Sequence, residues 1–168
     1  MTYFEAFGLE PKLGLDADDL QTRFYRLSRE FHPDKFSRKP QAEQRRALEM
    51  TSLLNDGLRA LKDPVRRAEY VLSSNGFDIA FQGTKDVPPE LLEEVFELNM
   101  ALEESDAAQI GQLRERFSAM RHSIDEGLAG LFAKYDAGGG HAALTEIRGV
   151  LNRRRYIDNL VQKIEAGG

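Results

Sequence analysis

The 168 residues include no cysteine, which removes disulfides, thiolate zinc sites, cysteine-ligated iron–sulfur clusters and cysteine nucleophiles from the chemistry open to this chain. Any metal chemistry therefore belongs to a partner. Long apolar runs are missing too: none approaches the roughly 18 residues of a membrane-spanning helix. The opening MTYFEAFGLEP carries an acid where a secretory signal carries base. These absences predict a soluble, cytoplasmic protein with no membrane partner. Base is not in excess either. With 23 Lys+Arg against 28 Asp+Glu, the net charge of −5 argues against a protein that coats nucleic acid. No phosphate-cradling or dinucleotide motif occurs, and no nucleophile is paired with a base. The three histidines, His32, His122 and His141, are scattered without ligand spacing, so neither a metal nor a cofactor is expected.

What is present, 41% hydrophobic residues in a chain of this length, suits one ordinary domain or two small ones. Residues 75–89 contain two glycines, two prolines and no sustained helical period, and divide the chain. The expected organisation is a first part over 1–75, a linker over 76–88 and a second part over 89–168. Charge differs across the divide: residues 1–76 carry 13 bases and 12 acids, residues 77–168 carry 10 and 16. Two parts of different sign are suited to different partners.

Periodicity predicts helices nearly throughout. A short opening turn at Tyr3 to Phe7 is closed by Gly8. Asp16 caps a helix whose apolar residues Leu20, Phe24, Leu27 and Phe31 form one stripe, and which stops before Pro33. A longer helix over about 41–61 carries Ala47, Met50, Leu54, Leu58 and Leu61. Asp63-Pro64 opens another, which ends at Asn75-Gly76. The second part reads as three helices, from Pro89 to about Glu104, from about Ala107 to Tyr135 and from about Ala142 to Ile164, with Gly138–Gly140 separating the last two. Short connections favour an antiparallel three-helix bundle. The fold class is all-α.

Between Leu20 and Arg46 lie eight bases and three acids, a local net of +5 in an acidic chain. Arg23, Arg26 and Arg29 lie off the apolar stripe, beside the loop His32-Pro33-Asp34. A basic helix next to an exposed loop is an electrostatic docking face for an acidic protein surface. The order of a short opening helix, a basic helix, HPDKF, a long helix with Leu54-Asn55-Asp56-Gly57-Leu58, then Leu61-Lys62-Asp63-Pro64-Val65-Arg66-Arg67-Ala68-Glu69-Tyr70, resembles a J-domain from end to end. The resemblance implies docking on a DnaK-type chaperone ATPase and acceleration of its ATP hydrolysis. It implies that His32, Pro33 and Asp34 are essential for stimulation, with Arg23, Arg26, Arg29 and Lys35 as docking charges. Proline stiffens such a loop, and Asp34 can pair with a basic group on the ATPase. The hydrolysing site then lies in the partner, and this chain is not an enzyme.

No glycine/phenylalanine-rich segment and no cysteine-rich module follows; an acidic bundle does. With the opening Thr2-Tyr3-Phe4-Glu5-Ala6-Phe7-Gly8-Leu9, the string His32-Pro33-Asp34-Lys35-Phe36, and Arg67-Ala68-Glu69-Tyr70-Val71-Leu72 followed by Asn75-Gly76-Phe77-Asp78, the chain resembles the HscB family of J-type co-chaperones of iron–sulfur cluster assembly. The bacterial form, without a cysteine-rich N-terminal extension, is the nearer match. The resemblance implies an L-shaped molecule, an HscA-type chaperone as one partner and an IscU-type cluster scaffold as the other.

The helix from Pro89 has its own signal. Leu91, Val95, Leu98 and Leu102 share one stripe, while Leu92, Phe96 and Met100 lie on an adjacent strip, more apolar than packing requires. From Asp86 to Asp106 there are eight acids and no base. An apolar patch rimmed by like charge has the form of a protein-binding site. The family resemblance assigns scaffold binding to Leu92, Glu93, Phe96, Glu97, Met100 and Glu104, with Tyr156 of the last helix as a nearby aromatic. Arg153-Arg154-Arg155 is either a solvated face or a set of internal partners for the acids. Packing of Phe77, Ile79 and Phe81 at the junction would hold the two parts rigidly. The alternatives to this reading are a J-protein serving another client and a helical adaptor with an incidental HPD, including one that binds nucleic acid through the basic helix.

Overall fold

Asp16, Asp63 and Asp106 each open a helix in the same way, with a carboxylate oxygen accepting backbone N–H groups that have no helical partner. Thr2 does so at the first helix, where Glu5 answers in a capping box. The resulting helices, in a computed structural model that describes residues 1–79 and 87–167, are α1 (Tyr3–Ala6), α2 (Ala17–Glu30), α3 (Gln41–Leu61), α4 (Pro64–Ser74), α5 (Pro89–Glu103), α6 (Ala107–Lys134) and α7 (Gly140–Gly167). The described residues contain no strand, so the fold is all-α. Most of the linker expected over 76–88, including Phe81, lies outside the described residues.

Two units divide the chain, Met1–Phe77 and Asp78–Gly168. In the first, α3 is the central element and packs against α1, α2 and α4. Ala47, Leu54 and Leu61 are buried along it, as the period requires, with Leu20, Leu13, Phe7 and Leu72 closing the core around them. Gly57 is buried as well. A Cβ there would stand 2.9 Å from Phe7 Cε2 and 3.3 Å from the Tyr3 ring, so the glycine lets α1 lie directly on α3. Tyr3 also stacks on Tyr70 with ring centroids 4.6 Å apart, and its backbone N–H donates to the Tyr70 hydroxyl at 3.0 Å.

In the second unit, α7 packs against both α5 and α6. Its pairings fix the directions. Lys134 meets Glu146 at 3.1 Å, Arg154 meets Asp125 at 2.7 Å and Arg121 meets Asp158 at 3.0 Å, a ladder that runs antiparallel between α6 and α7. Arg153 pairs with Glu94 at 2.9 Å and Lys163 donates to Asn99 at 3.0 Å, so α5 runs parallel to α7. Phe117, Ile124 and Leu128 of α6 and Ile147, Ile157 and Leu160 of α7 are buried between the helices.

Two local features differ from expectation. The helices α6 and α7 are joined by a five-residue wide turn, Tyr135–Gly139, and α7 begins at Gly140 and not near residue 142. Gly138 at φ 101° and Gly140 at φ 60° take up the left-handed geometry this reversal needs. The segment after α2 is not an open loop either: Pro33–Phe36 winds into a 3-10 turn.

Candidate functional site

The 3-10 turn carries the first candidate site. Phe31 ends α2, and His32, in extended conformation at φ −60° and ψ 130°, turns the chain into Pro33. Its Nδ1 lies 3.2 Å from the backbone N of Asp34, whose N–H donates to it, and 3.6 Å from the Asp34 carboxylate. Ser37 donates to the Asp34 carbonyl at 3.2 Å, and the Lys35 N–H donates to the His32 carbonyl at 3.0 Å. Gln44 of α3 reaches back to the Lys39 carbonyl at 2.8 Å. The backbone of the turn is thus braced from both sides while the Asp34 side chain stays 92% exposed. A carboxylate held on a stiff turn is available to a cationic group of a partner.

The four bases expected beside the turn do not stand alike. Arg26, Arg29 and Lys35 are exposed, and no ion pair joins any of them to another described residue. Arg23 is engaged within the unit: its guanidinium donates to the carbonyls of Phe7 and Gly8 at 3.0 and 3.1 Å and pairs with Asp19 at 2.9 Å. Gly8 adopts φ 65° where α1 ends, and Arg23 ties that turn to α2. Its place off the apolar stripe is legible in the sequence; its carbonyl partners, fifteen and sixteen residues upstream, are not.

The second candidate site is on α5. Leu91 and Leu98 are buried and Val95 and Leu102 half-buried, the side turned into the bundle. Leu92, Phe96 and Met100 are 37%, 64% and 38% exposed and fall within an arc of about 80° at 100° per residue. Glu93, Glu97 and Glu104 are exposed around them. Tyr156, half-buried, sits on the face of α7 that carries Arg153 and Lys163, both bonded to α5. All seven scaffold-binding residues expected from the sequence therefore lie on α5, at its end, or on the helix edge beside it.

Beside this strip is a depression of about 450 Å³ lined by Glu90, Glu93, Glu94, Glu97, Leu98 and Arg116. The spacing of the four glutamates, three and four apart, was readable as one helix face. The arginines near them were not, because they arrive from other helices: Arg153 of α7 pairs with Glu94, and Arg116 of α6 lines the same depression. The arginine run resolves the same way: Arg153 and Arg154 are internal partners of acids, and Arg155 donates to the Ile79 carbonyl at 3.4 Å. Phe77 and Ile79 are half-buried.

Among the described residues no group of three or more His, Asp or Glu is placed to hold a metal ion, and no helix is long and apolar enough to cross a membrane.

Comparison with known proteins covers both units. Residues 87–165 match the family model described as the HSCB C-terminal oligomerisation domain. The chain is 32% identical over 164 residues to the co-chaperone protein HscB homolog of Azoarcus sp. strain BH72, covering 97% of this chain and 91% of that protein. The structure is similar to that of chaperone HscB from Vibrio cholerae, with a TM-score of 0.69 and 28% identity over 99% of this chain and 97% of the other. It is also similar to the crystal structure of human co-chaperone protein HscB, with a TM-score of 0.74 and 25% identity over 99% of this chain and 82% of the other. Braced HPD turn, acid-rimmed apolar helix and full-length similarity converge: the chain belongs to the HscB family of co-chaperones, which serve iron–sulfur cluster assembly.

Proposed function

We propose that the first unit, residues 1–75, docks on an HscA-type ATPase of the DnaK class and accelerates its ATP hydrolysis, while the second, residues 89–168, delivers an IscU-type cluster scaffold to it. The carrying observation is the coexistence of two unlike surfaces in separate units. One is a basic, hydrogen-bonded HPD turn; the other is an apolar strip rimmed by acids.

At the first surface, Asp34 meets a cationic group of the ATPase, Arg26, Arg29 and Lys35 meet acidic ones, and Arg23 acts by holding α2 against the end of α1. His32 contributes through the turn it shapes and not as a general base. Binding then shifts a conformational equilibrium of the partner, where the hydrolysing residues reside. At the second surface, Phe96 with Leu92 and Met100 supplies desolvated anchors, Tyr156 extends the apolar area from α7, and Glu93, Glu97 and Glu104 steer a basic scaffold surface. The chain contributes no catalytic group and no cofactor. The cytoplasm is its proposed place of action.

The test is the steady-state ATPase rate of an HscA-type chaperone with and without its scaffold. The chain is expected to stimulate hydrolysis under both conditions. The His32→Gln variant is expected to lose both effects, and Phe96→Ala mainly the scaffold-dependent part. No stimulation by the intact chain would overturn the first half of the reading, and stimulation indifferent to scaffold and to Phe96 would overturn the second.

A further inference from the structure

Tyr25 stands apart from the packing of α2. Leu20 is buried and Phe24 and Leu27 are half-buried, whereas the Tyr25 ring is 57% exposed. Among the described residues its one ring contact is with Phe24, at a centroid distance of 5.9 Å and an angle of 56°, and its hydroxyl makes no hydrogen bond to any of them. A single exposed aromatic is ordinary on a protein surface. Its neighbours distinguish this one. On the helix, positions 22, 25 and 29 fall within about 60° of arc, with position 26 on the flank. Arg29 therefore lies one turn beyond Tyr25 on the same face, and Arg26 beside it, both exposed and joined by no ion pair to another described residue. Two residues past α2 comes the HPD turn. Elsewhere Arg121, Arg153 and Arg154 have carboxylate partners.

An exposed tyrosine beside two arginines that form no ion pair with another described residue, continuous with a docking turn, has the composition of a binding hot spot. Tyrosine covers a large contact area with only two rotatable side-chain bonds, so ordering it on binding costs little entropy. Once its ring excludes water, charge pairs around it act in a lower dielectric and are stronger.

We propose that Tyr25 is the aromatic anchor of the ATPase-docking face, seated on an apolar element of the chaperone whose acidic surroundings are met by Arg26 and Arg29. This rests on the chaperone-docking reading above and divides the face by task. Tyr25 sets affinity and partner choice, and the HPD turn transmits the effect on hydrolysis.

The experiment is a titration of the intact chain and its variants into an HscA-type ATPase, separating the half-stimulating concentration from the plateau rate. Tyr25→Ala is expected to raise the half-stimulating concentration about tenfold and to reach the same plateau, with an unchanged dependence on salt. Tyr25→Phe, which keeps the ring, is expected to stay within about twofold of the parent. Arg29→Ala is expected to flatten the salt dependence. Because the ring is exposed, far-UV circular dichroism and Tm of Tyr25→Ala should match the parent. A half-stimulating concentration within twofold for Tyr25→Ala, or a lowered plateau at unchanged concentration, overturns the anchor. Failure of the underlying reading looks different: the parent does not stimulate, or His32→Gln stimulates as well as the parent, and the anchor then falls with it.

Discussion

The guanidinium of Arg67 donates to the carbonyl of Leu13, 54 residues earlier in the chain, at 2.6 Å. The same group donates through Nε to the Leu61 carbonyl at 2.8 Å, so one side chain at the start of α4 binds both the loop before α2 and the last turn of α3. Arg67 is 4% exposed. Its neighbour Arg66 is exposed to solvent.

Removing this group leaves two carbonyl acceptors without their charged donor in a buried setting. Arg67→Met, which keeps much of the apolar stem, is expected to destabilise the first unit by about 2–4 kcal/mol, the range for a buried hydrogen bond to a charged group plus the unsatisfied partner. Arg66→Met should cost less than about 0.5 kcal/mol. Urea titrations of the two variants check the contrast, and equal midpoints would refute it.

The α5 strip allows a sharper separation of stability from binding. Leu98 is 3% exposed and Phe96 64%, two residues apart on one helix. Leu98→Ala should cost about 2–4 kcal/mol of stability, through lost transfer energy and the cavity left behind. Phe96→Ala should cost less than about 0.5 kcal/mol yet weaken scaffold binding about tenfold or more. Thermal melts and a scaffold titration decide it. Loss of stability in Phe96→Ala would mean that the ring packs and does not dock.

These contrasts mark what was readable in the sequence. Spacings of three and four located the helices, and the capping residues Asp16 and Asp63 located two of their starts, because both are local physics. The division of α5 into a packed stripe and an exposed strip was legible for the same reason. Pairings between distant residues were not. Nothing in the pattern around Arg23 or Arg67 distinguishes an arginine that ties loops together from one that faces solvent. The two look alike until tertiary contacts decide. The 3-10 turn at Pro33 was also hidden, since it depends on the bonds of His32 and Ser37 and not on a period.

Gly57 gives a prediction about close approach. A methyl group there would meet Phe7 Cε2 at 2.9 Å and the Tyr3 ring at 3.3 Å, and those rings are themselves held, Phe7 in the core and Tyr3 against Tyr70. Alanine is the better helix former, worth up to about 1 kcal/mol. Overpacking costs typically 1–3 kcal/mol and outweighs it here. Gly57→Ala is therefore expected to lower the Tm of the first unit, while Gly127→Ala on α6, where nothing lies within 4 Å of the added carbon, should raise stability. Scanning calorimetry of the two variants tests both signs.

Asp34 permits the cleanest division between fold and function. The turn is held by the Asp34 N–H on His32 Nδ1 and by the Asp34 carbonyl under Ser37, both main-chain groups, while the carboxylate is almost wholly exposed. Asp34→Asn keeps the backbone bonds and the shape and removes only the charge. Its Tm should stay within about 2 °C of the parent, in line with a surface change of less than about 0.5 kcal/mol. Stimulation of the chaperone's ATPase should nevertheless fall by about tenfold or more, the scale for losing one charge-assisted bond at a desolvated interface. A normal plateau and half-stimulating concentration in Asp34→Asn would remove the carboxylate from the docking mechanism. A large fall in Tm would instead make Asp34 part of the fold, through the approach of its carboxylate to His32 Nδ1 at 3.6 Å.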